Sequence, residues 1–176
     1  MKSGFIAIVG RPNVGKSTLM NKLIKEKVAI VSDKAGTTRD QIKGIINIGE
    51  NQYIFMDTPG IHKPKHLLGE HMTNVALDTL NNADLILFML DGTQGISTGD
   101  MFVNENAKNS NTPIVLIINK IDKMTDEDIA LKLEEVKEKL GEFAGIITMT
   151  GEYGIGVHKI FEISEKYLSN DMWFYP

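Results

Sequence analysis

The sequence predicts an α/β fold built on a six-stranded, mostly parallel sheet with helices on both faces, and three observations predict it. First, apolar runs at 5–9, 53–56, 85–90, 114–118 and 146–149 are continuous rather than alternating, as expected of strands buried on both faces. Second, residues between the runs repeat at the three-and-four spacing of a helix with one apolar stripe. Third, the polar, glycine-bearing segments follow strands, and in open α/β sheets ligands sit beyond the carboxyl ends of the strands.

The elements follow in chain order. The run 5–9 ends at Gly10 and leads through a glycine-rich loop into a helix that starts near Lys16. Strands 42–48 and 52–56, joined through Gly49-Glu50-Asn51, read as a hairpin that adds an antiparallel edge. Leu68, Met72, Val75, Ala76 and Leu80 mark a helical stripe before the strand at 85–90. After strand 114–118, Thr125 with Asp128 three positions on forms a capping box for a charged helix through Lys139, closed by Gly141. The last strand, 146–149, precedes a helix whose apolar positions are Val157, Ile160, Phe161, Ser164 and Leu168.

Gly10-Arg11-Pro12-Asn13-Val14-Gly15-Lys16-Ser17 has the spacing of a loop that cradles phosphates, in the strand-to-helix setting that such a loop requires. Two glycines let the backbone wind so that successive N–H groups converge on phosphate oxygens. Lys16 supplies a point charge to the β/γ-phosphates. Ser17 offers a hydroxyl to Mg²⁺ at the helix N-terminus, where the helix dipole already favours anions. The nucleotide-contacting set here is Gly10, Asn13, Val14, Gly15, Lys16, Ser17 and Thr18.

The base is indicated by Asn119-Lys120-Ile121-Asp122 at the end of an aliphatic strand. An Asp122 carboxylate can accept from guanine N1–H and the 2-amino group together, whereas adenine N1 would face it acceptor to acceptor. Leaving a buried group unpaired is the strong kind of discrimination. Lys120 can lay its stem along the purine face, and Asn119 can tie this loop to the phosphate loop. Thr150-Gly151-Glu152 follows the last strand and so falls at the same rim.

Two segments suit a γ-phosphate sensor. Asp57-Thr58-Pro59-Gly60 ends a strand with a carboxylate that can reach Mg²⁺ through water and a Gly60 N–H that can meet the γ-phosphate. Upstream, in Lys34-Ala35-Gly36-Thr37-Thr38-Arg39-Asp40, Thr38 is chosen to complete the Mg²⁺ shell, with Thr37 as the alternative. The metal set is therefore Ser17, Thr38 and Asp57, and Lys16, Thr38 and Gly60 form the catalytic set. Both segments would be ordered by the γ-phosphate and loosened after hydrolysis.

Composition narrows the function classes. With 176 residues, 42% hydrophobic and 24% charged, the chain has ordinary globular composition for one α/β domain. No apolar stretch approaches the roughly 18 residues of a membrane span. The absence of cysteine excludes disulfides and thiolate metal sites and suits a reducing cytoplasm. A net charge of −4 argues against a nucleic-acid platform within these residues, since phosphate neutralisation requires clustered Lys and Arg.

The motifs GRPNVGKS, GTTRD, DTPG, the following IHKPKH, NKID and the closing WFYP together resemble the G domain of the Era family of bacterial GTPases, over the whole chain. IHKPKH and WFYP separate that family from its Der and MnmE relatives, which remain the alternative assignment along with a nucleotide-controlled binding module of negligible catalysis. The resemblance implies a P-loop NTPase G domain over 1–170, with 171–176 opening a linker to an RNA-binding KH domain. It implies a Mg²⁺-dependent GTP-to-GDP switch acting in 16S rRNA processing and assembly of the 30S subunit. The implied partners are GTP or GDP and the 16S rRNA 3′ region, bound through that KH domain. A monomer in the cytoplasm is the implied setting, with a peripheral position on the inner membrane's cytoplasmic face as the alternative. The resemblance also makes Asn13 the position associated with a K⁺ ion that supplies positive charge, and so adds it to the catalytic set.

Two positions depart from the wider pattern. Ile61 stands where many small GTPases carry a water-orienting Gln, so slow intrinsic turnover is expected. Thr150-Gly151-Glu152 replaces the Ser-Ala-Leu that usually contacts the guanine O6 in the family, and by that resemblance the Gly151 N–H is expected to donate to the base. Other residues invite less: His62, His66 and His71 lack a tight metal-ligand spacing, and Lys63 and Lys65 read as a solvated loop. Trp173, Phe174 and Tyr175 suit packing against a following domain.

Overall fold

The computed structural model describes residues 1–26, 29–30, 42–58, 74–151, 154 and 156–175. Its elements run β1 (Lys2–Val9), α1 (Lys16–Glu26), β2 (Ala29–Ile30), β3 (Ile42–Ile48), β4 (Asn51–Asp57), α2 (Asn74–Asn82), β5 (Leu85–Asp91), α3 (Thr98–Asn109), β6 (Ile114–Asn119), α4 (Asp126–Lys139), β7 (Gly145–Thr148) and α5 (His158–Ser164). The order across the sheet is β2-β3-β4-β1-β5-β6-β7. All six expected strands are present, and the two-residue β2 adds a short antiparallel edge against β3. β4, β1, β5, β6 and β7 are mutually parallel, while β3 pairs antiparallel with β4 as the hairpin reading requires.

Helices cover both faces because the central strands are apolar on both. Ala7, Val9, Ile86, Phe88 and Leu116 join one buried cluster with Ala76 and Leu80 of α2, Val103 of α3 and Val136 of α4. On the opposite face Ile6, Ile8, Phe55, Leu87 and Val115 pack with Leu19 and Leu23 of α1 and Ile160 of α5. A fully buried side chain of the size of Phe55 or Phe88 contributes about 1.5–3 kcal/mol by leaving water.

Several boundaries follow from local chemistry. α4 starts at the capping box read from the sequence: the Thr125 side chain accepts from the Asp128 N–H, and the Asp128 carboxylate accepts from the Thr125 N–H. Gly141, at φ +91°, turns the chain after that helix. α3 has a second capping box, Ser97 with Asp100, that the apolar spacing did not announce. The last helix is shorter than its stripe suggested, ending at Ser164 and tightening into a 3-10 turn over Glu165–Tyr167, with Leu168 still buried.

One strand departs from expectation. β7 lies at the sheet edge, and Ile146 is 45% exposed, so this run is not buried on both faces. The C-terminal residues are docked against the start of the sheet. Ser3 Oγ donates to the Met172 carbonyl, Trp173 Nε1 donates to the Glu50 carbonyl at 2.8 Å, and the Phe174 ring meets Phe5 edge-on at 4.9 Å. Among the described residues no helix is long and apolar enough to cross a membrane.

Candidate nucleotide-binding site

Parallel strands deliver their carboxyl ends to one rim, and there the segments singled out from the sequence meet. β1 leads into the 10–18 loop, β4 ends at Asp57, β6 ends at Asn119, and Met149-Thr150-Gly151 follows β7. Thr58 fixes the end of β4 against its neighbour, since its hydroxyl donates to the Ile8 carbonyl at 3.0 Å while its N–H donates to Asp57 Oδ1 at 2.9 Å.

The loop has the backbone that its sequence requires. Asn13 sits at φ +70°, a left-handed conformation that Asn tolerates better than most residues, and Gly15 sits at φ +103°. A Cβ on Gly15 would lie 2.2 Å from Asn119 Nδ2, so a larger residue is excluded by contact as well as by conformation. Gly10 lets the strand end pass close to Met89, whose carbonyl would lie 3.1 Å from an added Cβ. Together with Lys16, Ser17, Thr18 and Lys120 the loop bounds a cavity of about 510 Å³. Ser17 and Thr18 are exposed at the start of α1, where unpaired backbone N–H groups favour an anion.

Asn119 joins three loops. Its Nδ2 donates to the Val14 carbonyl at 2.9 Å, and its Oδ1 accepts from the Gly151 N–H at 2.9 Å. The side chain is buried, so both amide ends are satisfied by backbone groups distant in sequence. Gly151 N–H is therefore committed to Asn119, which corrects the expectation that it is free to donate to the base. Thr150 instead supports the Asn-Lys-Ile-Asp segment, accepting from the Asp122 N–H through Oγ1 at 3.3 Å. The Asp122 carboxylate is exposed.

Lys120 occupies a left-handed backbone position, φ +67° and ψ +33°, that turns its side chain back towards the phosphate loop. Its Nζ lies 3.4 Å from the Asn13 carbonyl and 2.8 Å from Asp91 Oδ2. Asp91 was not singled out in the sequence. Burial pushes its carboxyl up, but the hydrogen bond from Lys120, followed by those from Thr93, outweighs burial and holds it below its ordinary range. A second unforeseen tie is Arg11, whose Nε donates to the buried Asp100 at 3.0 Å and whose guanidinium also reaches Gln94. Asp91 lies in no sequence motif and Asp100 is known locally only as the capping partner of Ser97; both come to the loop because they flank the β5-to-α3 connection.

Lys16 Nζ pairs with Asp57 Oδ1 at 2.8 Å, with both side chains partly exposed. The donor chemistry fits Mg²⁺: a serine hydroxyl and one carboxylate are hard oxygen ligands, and Mg²⁺ commonly takes one or two from protein and the rest from phosphates and water. Among the described residues no group of three or more His, Cys, Asp and Glu could hold a metal ion. Thr37, Thr38, Gly60 and Glu152 lie outside the described residues, as do Ile61, His62, Lys63, Lys65, His66 and His71.

Comparison with known proteins agrees with this geometry. The family described as 50S ribosome-binding GTPase matches residues 5–120. GTPase Era of Fusobacterium nucleatum is 57% identical over 177 residues, which cover 100% of this chain and 60% of that protein. Two crystal structures superpose with a TM-score of 0.80 at 41% identity, each covering 100% of this chain and 60% of the other. One is Era in complex with MgGDPNP and nucleotides 1506–1542 of 16S ribosomal RNA. The second is a variant of Aquifex aeolicus Era bound to GDP.AlF4⁻. The chain thus spans about 60% of the length of these relatives.

Proposed function

Because the chain belongs to the 50S ribosome-binding GTPase family, we propose that it binds GTP and hydrolyses it to GDP and phosphate in a Mg²⁺-dependent switch of the Era type. The observation that carries the reading is the Asn119 side chain, which locks the Asn-Lys-Ile-Asp segment to the phosphate loop through the Val14 carbonyl. That tie holds a guanine reader and a phosphate cradle at one rim, as a single nucleotide requires.

Residue roles follow from the chemistry of phosphoryl transfer, in which positioning and charge stabilisation dominate. Lys16 and the N-terminus of α1 hold the β/γ-phosphates. Ser17, Thr38 and Asp57 hold Mg²⁺, which when bound neutralises charge on the phosphate oxygens. Gly60 meets the γ-phosphate, and Asp122 accepts from the guanine edge while the Lys120 stem covers its face. Gly10, Gly15, Val14 and Thr18 shape the cradle, and Thr150, Gly151 and Glu152 border the base. Ile61 cannot orient water, so turnover is slow and the attacking water is placed by other groups. Asn13, beside the cavity, is the residue we assign to a K⁺ ion that supplies positive charge there.

The wider role rests on similarity. Era is the relative whose structure contains a 16S rRNA segment, and we extend to the full-length protein a part in 16S rRNA processing and 30S assembly, with RNA held by a C-terminal KH domain. By the same similarity the protein acts as a cytoplasmic monomer, with peripheral attachment to the inner membrane as the alternative setting. Phosphate release from GTP and ATP, in K⁺ and in Na⁺, for the parent and Asn13→Ala tests the chemistry. GTP-selective release that K⁺ accelerates only in the parent is expected; release that ignores base and cation alike would refute hydrolysis at this site. For the switch, equal binding of the full-length protein to 30S subunits with a GTP analogue and with GDP would remove it.

A further inference from the structure

We propose that Asp91 is a positioning residue for the purine: it holds the Lys120 ammonium so that the lysine stem forms a fixed wall for the base. The inference rests on the guanine-nucleotide reading above and adds a residue that lies in none of the nucleotide motifs.

Geometry carries it. Asp91 is the last residue of β5 and lies beside Asn119, the last residue of β6, in the parallel register. The Gly92 N–H donates to the Asn119 carbonyl at 2.9 Å, so the two strand ends leave the sheet together. Asp91 is 4% exposed, and its two oxygens have separate duties. Oδ1 accepts from the Thr93 N–H and hydroxyl at 2.9 and 2.5 Å, which fixes the turn. Oδ2 accepts from Lys120 Nζ at 2.8 Å.

A flexible ammonium stem without such a partner would sample many rotamers, at an entropic cost to any ligand that needs one of them. Here the left-handed backbone at Lys120 aims the stem, and the carboxylate at its tip selects the rotamer before a nucleotide arrives. The Nζ also stands 3.4 Å from the Asn13 carbonyl, so the stem spans the gap between the Asp91 end of β5 and the phosphate loop. The other charged contacts of the β5-to-α3 connection are made elsewhere: Arg11 pairs with Asp100, and Lys132 donates to the Gln94 carbonyl.

Asp91→Asn isolates the effect. An Asn carbonyl oxygen can keep accepting from Thr93, whereas its amide would face the ammonium donor to donor. In the full chain, the variant should raise KM for GTP about tenfold with kcat within about twofold of the parent, the signature of binding lost equally from ground and transition states. In a Lys120→Ala background the same substitution should leave KM within about twofold, because the group it positions is gone. A turn role alone would persist in that background. If Asp91→Asn gives no cooperative melting transition, Lys120→Met carries the test, since it keeps the stem but has no charge to be held; its KM should rise about as far. An unchanged KM in the folded variant, a fall in kcat alone, or full additivity with Lys120→Ala would overturn the proposal. A parent that fails to prefer GTP over ATP would bring down the nucleotide reading, whereas a selective parent matched by its variant brings down only this inference.

Discussion

Lys16 Nζ and Asp57 Oδ1 are 2.8 Å apart, joining the first residue of α1 to the last residue of β4. The two groups neutralise each other at the point where a triphosphate and its magnesium are expected. Phosphate oxygens compete for Lys16 and the metal for Asp57, so ligand binding exchanges one ion pair for two stronger sets of contacts. Lys16→Ala should therefore weaken GDP binding by about a hundredfold or more, by removing a charge-assisted contact and leaving Asp57 to repel phosphate. Asp57→Asn should spare GDP measured in chelator and lose most of the gain that Mg²⁺ gives the parent. Titrations with and without Mg²⁺ check both, and a variant that keeps the full Mg²⁺ gain would remove Asp57 from the metal site.

Asn119→Ala should damage stability and binding together. It orphans the Val14 carbonyl and the Gly151 N–H, each costing about 1–3 kcal/mol when water cannot reach it. A loss of about 3 kcal/mol corresponds to roughly 6–12 °C in melting temperature for a chain of this size. Thermal melting of the nucleotide-free protein is the check. A fall in GDP affinity with an unchanged melting temperature would show that the bridge matters only to the ligand.

Acid should weaken the native state partly through Asp91. Its native carboxyl titrates below the ordinary range, so the unfolded chain takes up the proton more readily. The stabilisation is fully present above about pH 4 and is lost as pH falls from there through the native value. Glu135, held down first by the hydrogen bond from Lys132, acts in the same direction. The melting temperature should decline below about pH 4, and Asp91→Asn should remove part of that decline. A variant with the parent's full acid dependence would clear Asp91 of any share.

The buried Gln52 clamps the C-terminal residues: Nε2 donates to the Tyr175 carbonyl at 2.9 Å, and Oε1 accepts from the N–H groups of Phe174 and Tyr175 at 3.0 and 3.1 Å. Gln52→Ala should release them, exposing the single tryptophan, Trp173. A red shift in tryptophan emission and faster proteolysis near the C-terminus are expected, with GDP affinity unchanged within about threefold. Emission identical to the parent's would show that Trp173 is held by the Glu50 carbonyl and its neighbours without this clamp.

What was legible in the sequence is what local pattern encodes. Six strands were readable because runs such as 85–90 and 114–118 are apolar at every position, and the Thr125 capping box because both partners lie three residues apart. The phosphate loop and Asn-Lys-Ile-Asp were readable because their chemistry fixes residue type and spacing. α3 was not read: its buried positions, Asp100, Val103 and Ala107, include a charged residue and a small one, which blurs the stripe. Asp91, Asp100 and Gln52 were missed for another reason. Each is a common polar residue whose tie to the phosphate loop, the base segment or the C-terminal residues is made with a partner 29, 89 or 123 positions away. Ile146 was misjudged because an apolar run does not reveal that its strand lies at an edge.

One rim reads a guanine base and holds its phosphates, and calorimetric titration of the nucleotide-free protein with GDP and with ADP in Mg²⁺ is the decisive measurement. GDP should bind at least about a thousandfold tighter, the discrimination expected when the wrong base covers the Asp122 carboxylate and leaves it without a donor. Equal affinities for GDP and ADP would contradict it.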